Sequence, residues 1–416
     1  MIQYQEALAT ILDNVRKMES EEKLLLQAQG QVLAEDIVAP CDLPRLATGI
    51  PDGYAVRSED IQGASKEHPV TLRIVETIRA GQVPRKAVQP GTAVRTMTGS
   101  VTPEGGDCIV RFEDTDEPGD KNGPNLFNPT HVKVFAPVAA GSGITQPGAL
   151  VKQGTLVVPK GTVIGPPQVS VISQFGRVKV KVVRRPVIAI LSSGDELVKP
   201  GRPLSPGKIY DCNSGALATF VRYYGGIPKI LGIARDNEAS LADKITKGMK
   251  ADAIISSGGV SKGDYDLTRL IIAKLGTLFF SRINMAPGAA VAFGLLPGKD
   301  SGKLTPLFAL AGPPAGSMVN FETLVRPALL KMLGREDVTR PSIEAMPTGA
   351  LPEKNNMAFV KWTKMNKTGK GHQVAFDSGA KGILSNLAAA NSLTIIPPQT
   401  AVDAENPIEV LPLNWC

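Results

Sequence analysis

The sequence predicts a multidomain α/β plus β protein, with a parallel sheet in its α/β part. Three observations carry this. At 416 residues the chain is too long for one ordinary domain. From Pro186 to Leu333, apolar runs of strand length alternate with helical stretches, the pattern of a parallel sheet covered by helices. On both flanks the runs shorten and turn β-like, separated by Gly and Pro.

In chain order, Leu8, Ile11, Leu12 and Val15 share one face, which predicts a helix over 4–18. A second helical stretch is expected over 21–33, followed by an extended segment over 36–44. Short strands are expected at 70–75, 94–97, 108–112 and 132–136, and narrow-ribbon strands at 148–158 and 161–164. The α/β region then predicts strands at 187–191, 228–233, 253–255 and 307–311. Helices are expected at 216–224, 239–249, 267–275 and 316–333. Residues 341–416 return to short β runs, as in a separate small β domain.

Composition narrows the function classes. Apolar residues make up 43% and charged residues 20% of the chain, a folded composition that excludes a wholly disordered one. No apolar run reaches the roughly 18 residues needed to cross a bilayer, and Met1–Ser20 carries charges where a signal peptide has an apolar core. The four cysteines form no CxxC pair and the three histidines are isolated, so neither a disulfide framework nor a zinc site is expected. These features predict a cytoplasmic protein. The net charge is 46 − 39 = +7. The densest basic stretch, Lys179–Arg185, alternates with Val and reads as a strand, so no nucleic-acid and no membrane partner is expected.

Ligands of open α/β sheets sit beyond the carboxyl ends of the strands. Two loops fall there. Residues 256–261, Ser-Ser-Gly-Gly-Val-Ser, offer backbone amides and hydroxyls before a helix, which suits a phosphate; the plain alternative is an ordinary strand–helix turn. Residues 192–196 place Asp195 and Glu196 at a strand end, where they also suit helix capping. Asp211 and Asn213 follow Ile209-Tyr210, and Asp264 and Asp266 follow Gly263. Carboxylates beside a phosphate loop suggest Mg²⁺ shared with phosphate oxygens, with capping again the alternative. The chain has no GxSxG, HExxH, P-loop or GxGxxG motif.

Seven segments then occur together and in order: GQVLAEDIVAPCDLP, PDGYAVRSED, RTMTGSVTPEGGDCIV, LSSGDELVKPG, GKIYDCN, DAIISSGGVSKGDYD and SNLAAANSLTIIP. The chain thereby resembles the MoeA family, the molybdopterin molybdenumtransferases, which includes the gephyrin E domain. The resemblance implies an elongated β ribbon domain with the N-terminal helices (1–44 and 139–178) and an inserted β-rich module (45–138). It also implies a MogA-like α/β molybdopterin-binding domain (179–333) and a C-terminal β barrel (334–416). It implies a homodimer whose cleft lies between the α/β domain of one subunit and the inserted module of the other. Adenylylated molybdopterin and molybdate would be the substrates and Mg²⁺ the cation.

Residue by residue, the resemblance puts Asp52, Asp211 and Asp266 in catalytic positions, with Asp211 and Asp266 as metal ligands. It puts Ser193, Gly194, Asp195, Glu196, Asn213, Ser257, Gly258, Gly259, Ser261, Lys262 and Arg282 around the cofactor. The other half of the cleft departs from the family pattern. Ala149 and Leu150 stand where an acidic pair is usual, Ala286 and Ala289 where two lysines are usual, and Pro313 where an asparagine is usual. A dianion beside a pyrophosphate needs cations. The expected activity is therefore molybdate insertion into adenylylated molybdopterin with cleavage of the adenylate. The alternative is a non-catalytic paralogue that stores, delivers or senses the cofactor; a third reading is an enzyme for another oxyanion, such as tungstate, or another nucleotide adduct.

Overall fold

A computed structural model describes residues 1–117, 130–259, 267–298, 302–351, 356–376 and 383–413. The chain forms two compact units, one of Met1–Glu35, Lys160–Val169 and Val178–Cys416, the other of Asp36–Pro159 and Ser170–Arg177.

The larger unit is built on a six-stranded sheet. Its N-terminal helix is α1 (Tyr4–Asn14). The sheet region runs β1 (Val187–Ser193), α2 (Asn213–Tyr223), β2 (Ile227–Ala234), α3 (Glu238–Gly248), β3 (Ala253–Ser257), α4 (Leu267–Leu275), β4 (Thr277–Phe280), β5 (Ala292–Pro297), β6 (Leu304–Leu310) and α5 (Pro314–Asn320). A π-helical turn, Phe321–Val325, separates α5 from α6 (Arg326–Met332). The order across the sheet is β2-β1-β3-β6-β5-β4. The first four strands are parallel, as expected; β5 and β4 add antiparallel to the edge. Side chains of β1 and β3 alternate between two apolar layers. Ile188, Ile190 and Ile255 pack with Phe308 and Phe321 on one face, while Ala189, Leu191 and Ile254 pack with Leu241 and Ile245 of α3 on the other.

Five strands close the barrel at the C-terminal end. Ala358–Thr368 pairs with both Gly371–Ala375 and Ser392–Ile396, and the ring runs on through Ile343–Pro347 and Ile408–Pro412. The expected C-terminal β barrel is present. Glu322, in the π turn, joins it to the sheet. Its carboxylate accepts from Tyr224 Oη at 2.7 Å and Arg340 at 2.6 Å, and Arg340 also donates to the Pro412 carbonyl.

In the smaller unit a five-stranded sheet runs Cys108–Arg111, Gly53–Val56, Thr92–Thr96, Val70–Ile78, His131–Val134. Tyr54 is fully buried; its hydroxyl donates to Glu117, which also pairs with Arg95. Burial first, then Glu117, raises the Tyr54 pKa.

Several expectations fail locally. Residues 21–33 are not helical: Ser20–Leu24 is a strand paired with Lys179–Val183, followed by a single 3₁₀ turn, Leu25–Gln27. Helix-favouring Glu, Lys and Leu are overridden by this pairing, which also brings Glu22 to Lys179 at 2.8 Å. The ribbon strands shrink to Leu156–Val158 and isolated bridges at Val151 and Val163. A short helix, Pro166–Gln174, begins with two prolines, whose fixed φ suits a first turn. The helix expected over 316–333 is present, helical from Pro314 to Met332, with a π turn at 321–325 inside it.

At the amino ends of the strands, Asp252 anchors the sheet. It accepts from both Arg184 nitrogens (2.7 and 2.9 Å), from the Val187 amide (2.8 Å) and from Lys303 (3.1 Å), with its side chain 5% exposed. Burial alone would raise its carboxyl; the Arg184, Val187 and Lys303 hydrogen bonds outweigh that and hold it at about 2. A folded-state value below the unfolded one gives stability that is present above about pH 4 and is lost as pH falls toward 2. Asp252→Asn is therefore expected to lower stability at pH 7 by about 2 kcal/mol. Urea midpoints of the variant and the unchanged protein should converge as pH drops from 4 to 2.

Candidate functional site

The carboxyl ends of β1, β3 and β6 open on one cleft of about 340 Å³. Ser192 and Ser193 line it from β1, Ser257 and Gly258 from β3, and Gly312 with Pro313 from the segment after β6. The two loops expected to share a cleft therefore do so. The start of α2 is a third contributor, through Cys212 and Asn213.

Hydrogen bonds between these ends fix the floor. The Asn213 amide donates to Ser257 Oγ (2.8 Å) and to the Gly312 carbonyl (2.7 Å), and Ser257 Oγ reaches the Ala311 carbonyl (3.2 Å). One side chain thus ties α2 to the ends of β3 and β6. Gly258 has φ +85°, and a Cβ there would lie 2.4 Å from the Ser193 carbonyl oxygen. Only glycine lets β1 and β3 approach this closely. Gly259 follows with φ +71°, beside Thr268 Oγ1. Among the described residues that oxygen has no hydrogen-bond partner, nor has Ser256 Oγ, and both are buried.

Asp211 is 8% exposed. Its carboxylate accepts from Ser192 Oγ (2.8 Å), Ser214 N (3.1 Å) and Ser214 Oγ (2.6 Å). Three internal donors occupy most of its acceptor capacity and pin the start of α2 to the end of β1. About one acceptor site is left on it, room for a single contact to a Mg²⁺ held mainly by substrate phosphate oxygens. Among the described residues no three His, Cys, Asp or Glu side chains gather as a metal site. Asp266, the other expected ligand, lies outside the described residues, as do Ser261 and Lys262.

Asp195 does not line the cleft. Its backbone amide donates to Asp236 Oδ2 (3.1 Å) and its carboxylate accepts from the Asp236 amide (3.4 Å), so the loop after β1 is clipped to the loop after β2. Ser193 Oγ joins the same clip at 3.1 Å. Glu196 lines the cleft and folds back over Gly194, where a Cβ would stand 2.6 Å from its carboxylate. Arg282 lies outside the lining; its carbonyl accepts from the Ile2 amide. Asp52 belongs to the smaller unit, where its Oδ1 accepts from Thr98 N (2.7 Å) and Thr98 Oγ1 (2.9 Å). Ala149 and Leu150 form a turn in that unit, with Leu150 75% exposed.

Leu197, Ile209, Tyr210, Pro313 and Pro314 make most of the wall apolar. Among its described lining residues the charged ones are Glu196 and Asp211, and none is Lys or Arg. The cleft thus offers flat apolar walls, a glycine turn and the positive end of α2, a combination that suits a ring carrying a phosphate. Sequence reasoning missed Ser214, Asp236 and Thr98. Thr98 stands inside a quoted motif and Ser214 directly after one; nothing in the sequence marks Asp236.

Fold and cleft together define an α/β pterin–phosphate-binding class of protein. Residues 2–176 match the family model described as the MoeA N-terminal region (domain I and II), and residues 189–331 match the one described as a probable molybdopterin binding domain. The chain is 32% identical over 414 residues to the molybdopterin molybdenumtransferase of a Nostoc species, covering 97% of this chain and 92% of that protein. It is 33% identical over 380 residues to molybdopterin molybdenumtransferase 2 of Mycobacterium tuberculosis, covering 90% of each. A crystal structure of the molybdopterin biosynthesis MoeA protein of Pyrococcus horikoshii superposes with a TM-score of 0.84 at 30% identity, covering 99% of both chains. The chain belongs to the MoeA family.

Gly258→Ala should cost at least about 1 kcal/mol from backbone conformation alone, and more from the clash with Ser193. Urea denaturation should show the loss, and titration with molybdopterin should show weaker binding than in the unchanged protein.

Proposed function

We propose that this chain is a molybdopterin molybdenumtransferase of molybdenum-cofactor biosynthesis, acting in the cytoplasm as a homodimer. The observation that carries the reading is the convergence of β1, β3, β6 and the start of α2 on one apolar-walled cleft, in a chain of this family. The apolar wall around Tyr210 and Pro313 takes the ring. The Gly258–Gly259 turn and the start of α2 take the phosphate end. Asn213 and Asp211 hold these parts in register rather than reacting. Asp52, steadied by Thr98, is assigned to a partner subunit's side of the cleft by the resemblance. The substrates are adenylylated molybdopterin and molybdate; the adenylate is cleaved and the metal is left on the dithiolene.

A second reading has its own observation. Ala286, Ala289 and exposed Leu150 can neither neutralise nor coordinate an oxyanion, which favours a protein that binds the cofactor without loading it. Metal insertion by the purified protein, supplied with adenylylated molybdopterin and molybdate, separates the two. Tight pterin binding with no transfer at any molybdate concentration supports the second.

Losing a well-placed cation from a partly dry anion site costs a few kcal/mol. Molybdate saturation is therefore expected to be weak, and restoring Lys at both 286 and 289 should raise molybdate-dependent turnover by roughly a hundredfold at subsaturating molybdate. Full turnover of the unchanged protein at low micromolar molybdate would show that the two alanines cost nothing. Sedimentation should give a dimer at micromolar concentration; a stable monomer would remove the shared cleft.

A further inference from the structure

The segment carrying Ala286 and Ala289 lies between β4 and β5. It closes on itself through the Ile283 amide and the Ala289 carbonyl (3.1 Å), and Met285–Ala286 pairs with Ala358–Phe359 of the barrel. Its far side is held by one residue. Asn320, the last of α5, is fully buried, and both ends of its amide are used. Nδ2 donates to the Gly288 carbonyl (2.9 Å), and Oδ1 accepts from the Ala311 amide (3.2 Å). Ala311 follows β6 directly and precedes Gly312, whose carbonyl is held by Asn213. Two asparagines therefore clasp residues 311–312, Asn213 from the cleft and Asn320 from the 286–289 loop. Gly288 has φ +103°, and a Cβ there would stand 2.5 Å from Asn320 Nδ2, so the loop is drawn in as far as its backbone permits.

We propose that Asn320 is a positioning residue: it fixes the 286–289 loop to the end of β6 and thereby sets where the incoming oxyanion sits. This rests on the transferase reading, in which that loop faces molybdate. The residue must be an amide. It alone supplies a donor for one carbonyl and an acceptor for one N–H at this span; a carboxylate would face the Gly288 carbonyl, and an apolar side chain would strand both groups in the interior.

The test uses the full chain loaded with adenylylated molybdopterin, with Asn320→Ala, Gly288→Ala and the double variant. Equilibrium dialysis against molybdate gives its affinity, titration gives pterin affinity, and hydrogen exchange reports residues 283–290 against the barrel strands. Where Asn320→Ala does not fold, Asn320→Ser carries the same test. Asn320→Ala should speed exchange at 283–290 and weaken molybdate binding about tenfold, with pterin affinity unchanged. Gly288→Ala should act in the same direction, and the double variant should be no worse than the weaker single one, because both remove one contact. Molybdate affinity unchanged in Asn320→Ala, or molybdate and pterin affinity lost in equal measure, overturns the proposal, as does a wild-type chain that binds no molybdate. Molybdate binding that depends on Asn320 without any metal transfer upholds the positioning role and overturns the transferase reading instead.

Discussion

The two hydrogen bonds from the Asn213 amide are the interaction on which the cleft depends. Parallel strands end in backbone groups that the sheet no longer pairs. In this fold those ends come from segments far apart in sequence, at 192–193, 257–258 and 311–312. Asn213 reaches two of them, and Asp211 with Ser192 and Ser214 secures the third. The shape of the cleft is thus set by short polar contacts, those around Asp211 buried and expensive to leave unmade, those from Asn213 nearer the surface. This explains why residues that read as chemistry in the sequence turn out to be occupied by the protein itself.

That occupation also measures what the sequence could reveal. The four parallel strands and α3 and α4 were legible, because buried apolar runs and helical periodicity are local signals. Gly258 was legible as a loop glycine, though its reason, the approach of the Ser193 carbonyl, is not local. β4 and β5 were not legible: Thr277–Phe280 and Ala292–Pro297 are apolar runs too short to tell a strand from a buried helix end, and their strand state comes from pairing, β5 along β6 and β4 along β5. The strand at Ser20–Leu24 hid for the opposite reason, since its residues favour a helix and only the partner at 179–183 overrides them. Asp211 shows the same limit in the site. Its spacing fitted metal binding and capping equally, and three donors placed by the fold decide its occupancy.

Family membership sets the described cleft beside the positions where this chain departs from the family pattern. The described floor keeps its glycines, its asparagine and its apolar wall. The departures are Ala286, Ala289 and Leu150 in place of ionisable groups and, in the cleft lining itself, Pro313 in place of an asparagine. The 286–289 loop is nevertheless tied on two sides, by the barrel and by Asn320. Its backbone is thus held by contacts that involve neither alanine side chain, so lysines placed at 286 and 289 would add charge on an unchanged frame.

The π turn at 321–325 has a consequence for how the molecule comes apart. It directs Glu322 inward to Arg340 and Tyr224, and Arg340 holds the last barrel strand through Pro412. Melting the barrel by itself would leave a buried carboxylate without its guanidinium, a state several kcal/mol uphill. Barrel and sheet therefore lose structure together on heating, as one cooperative block, a coupling reinforced by the apolar cluster that Val360, Leu393 and Leu413 of the barrel share with the sheet.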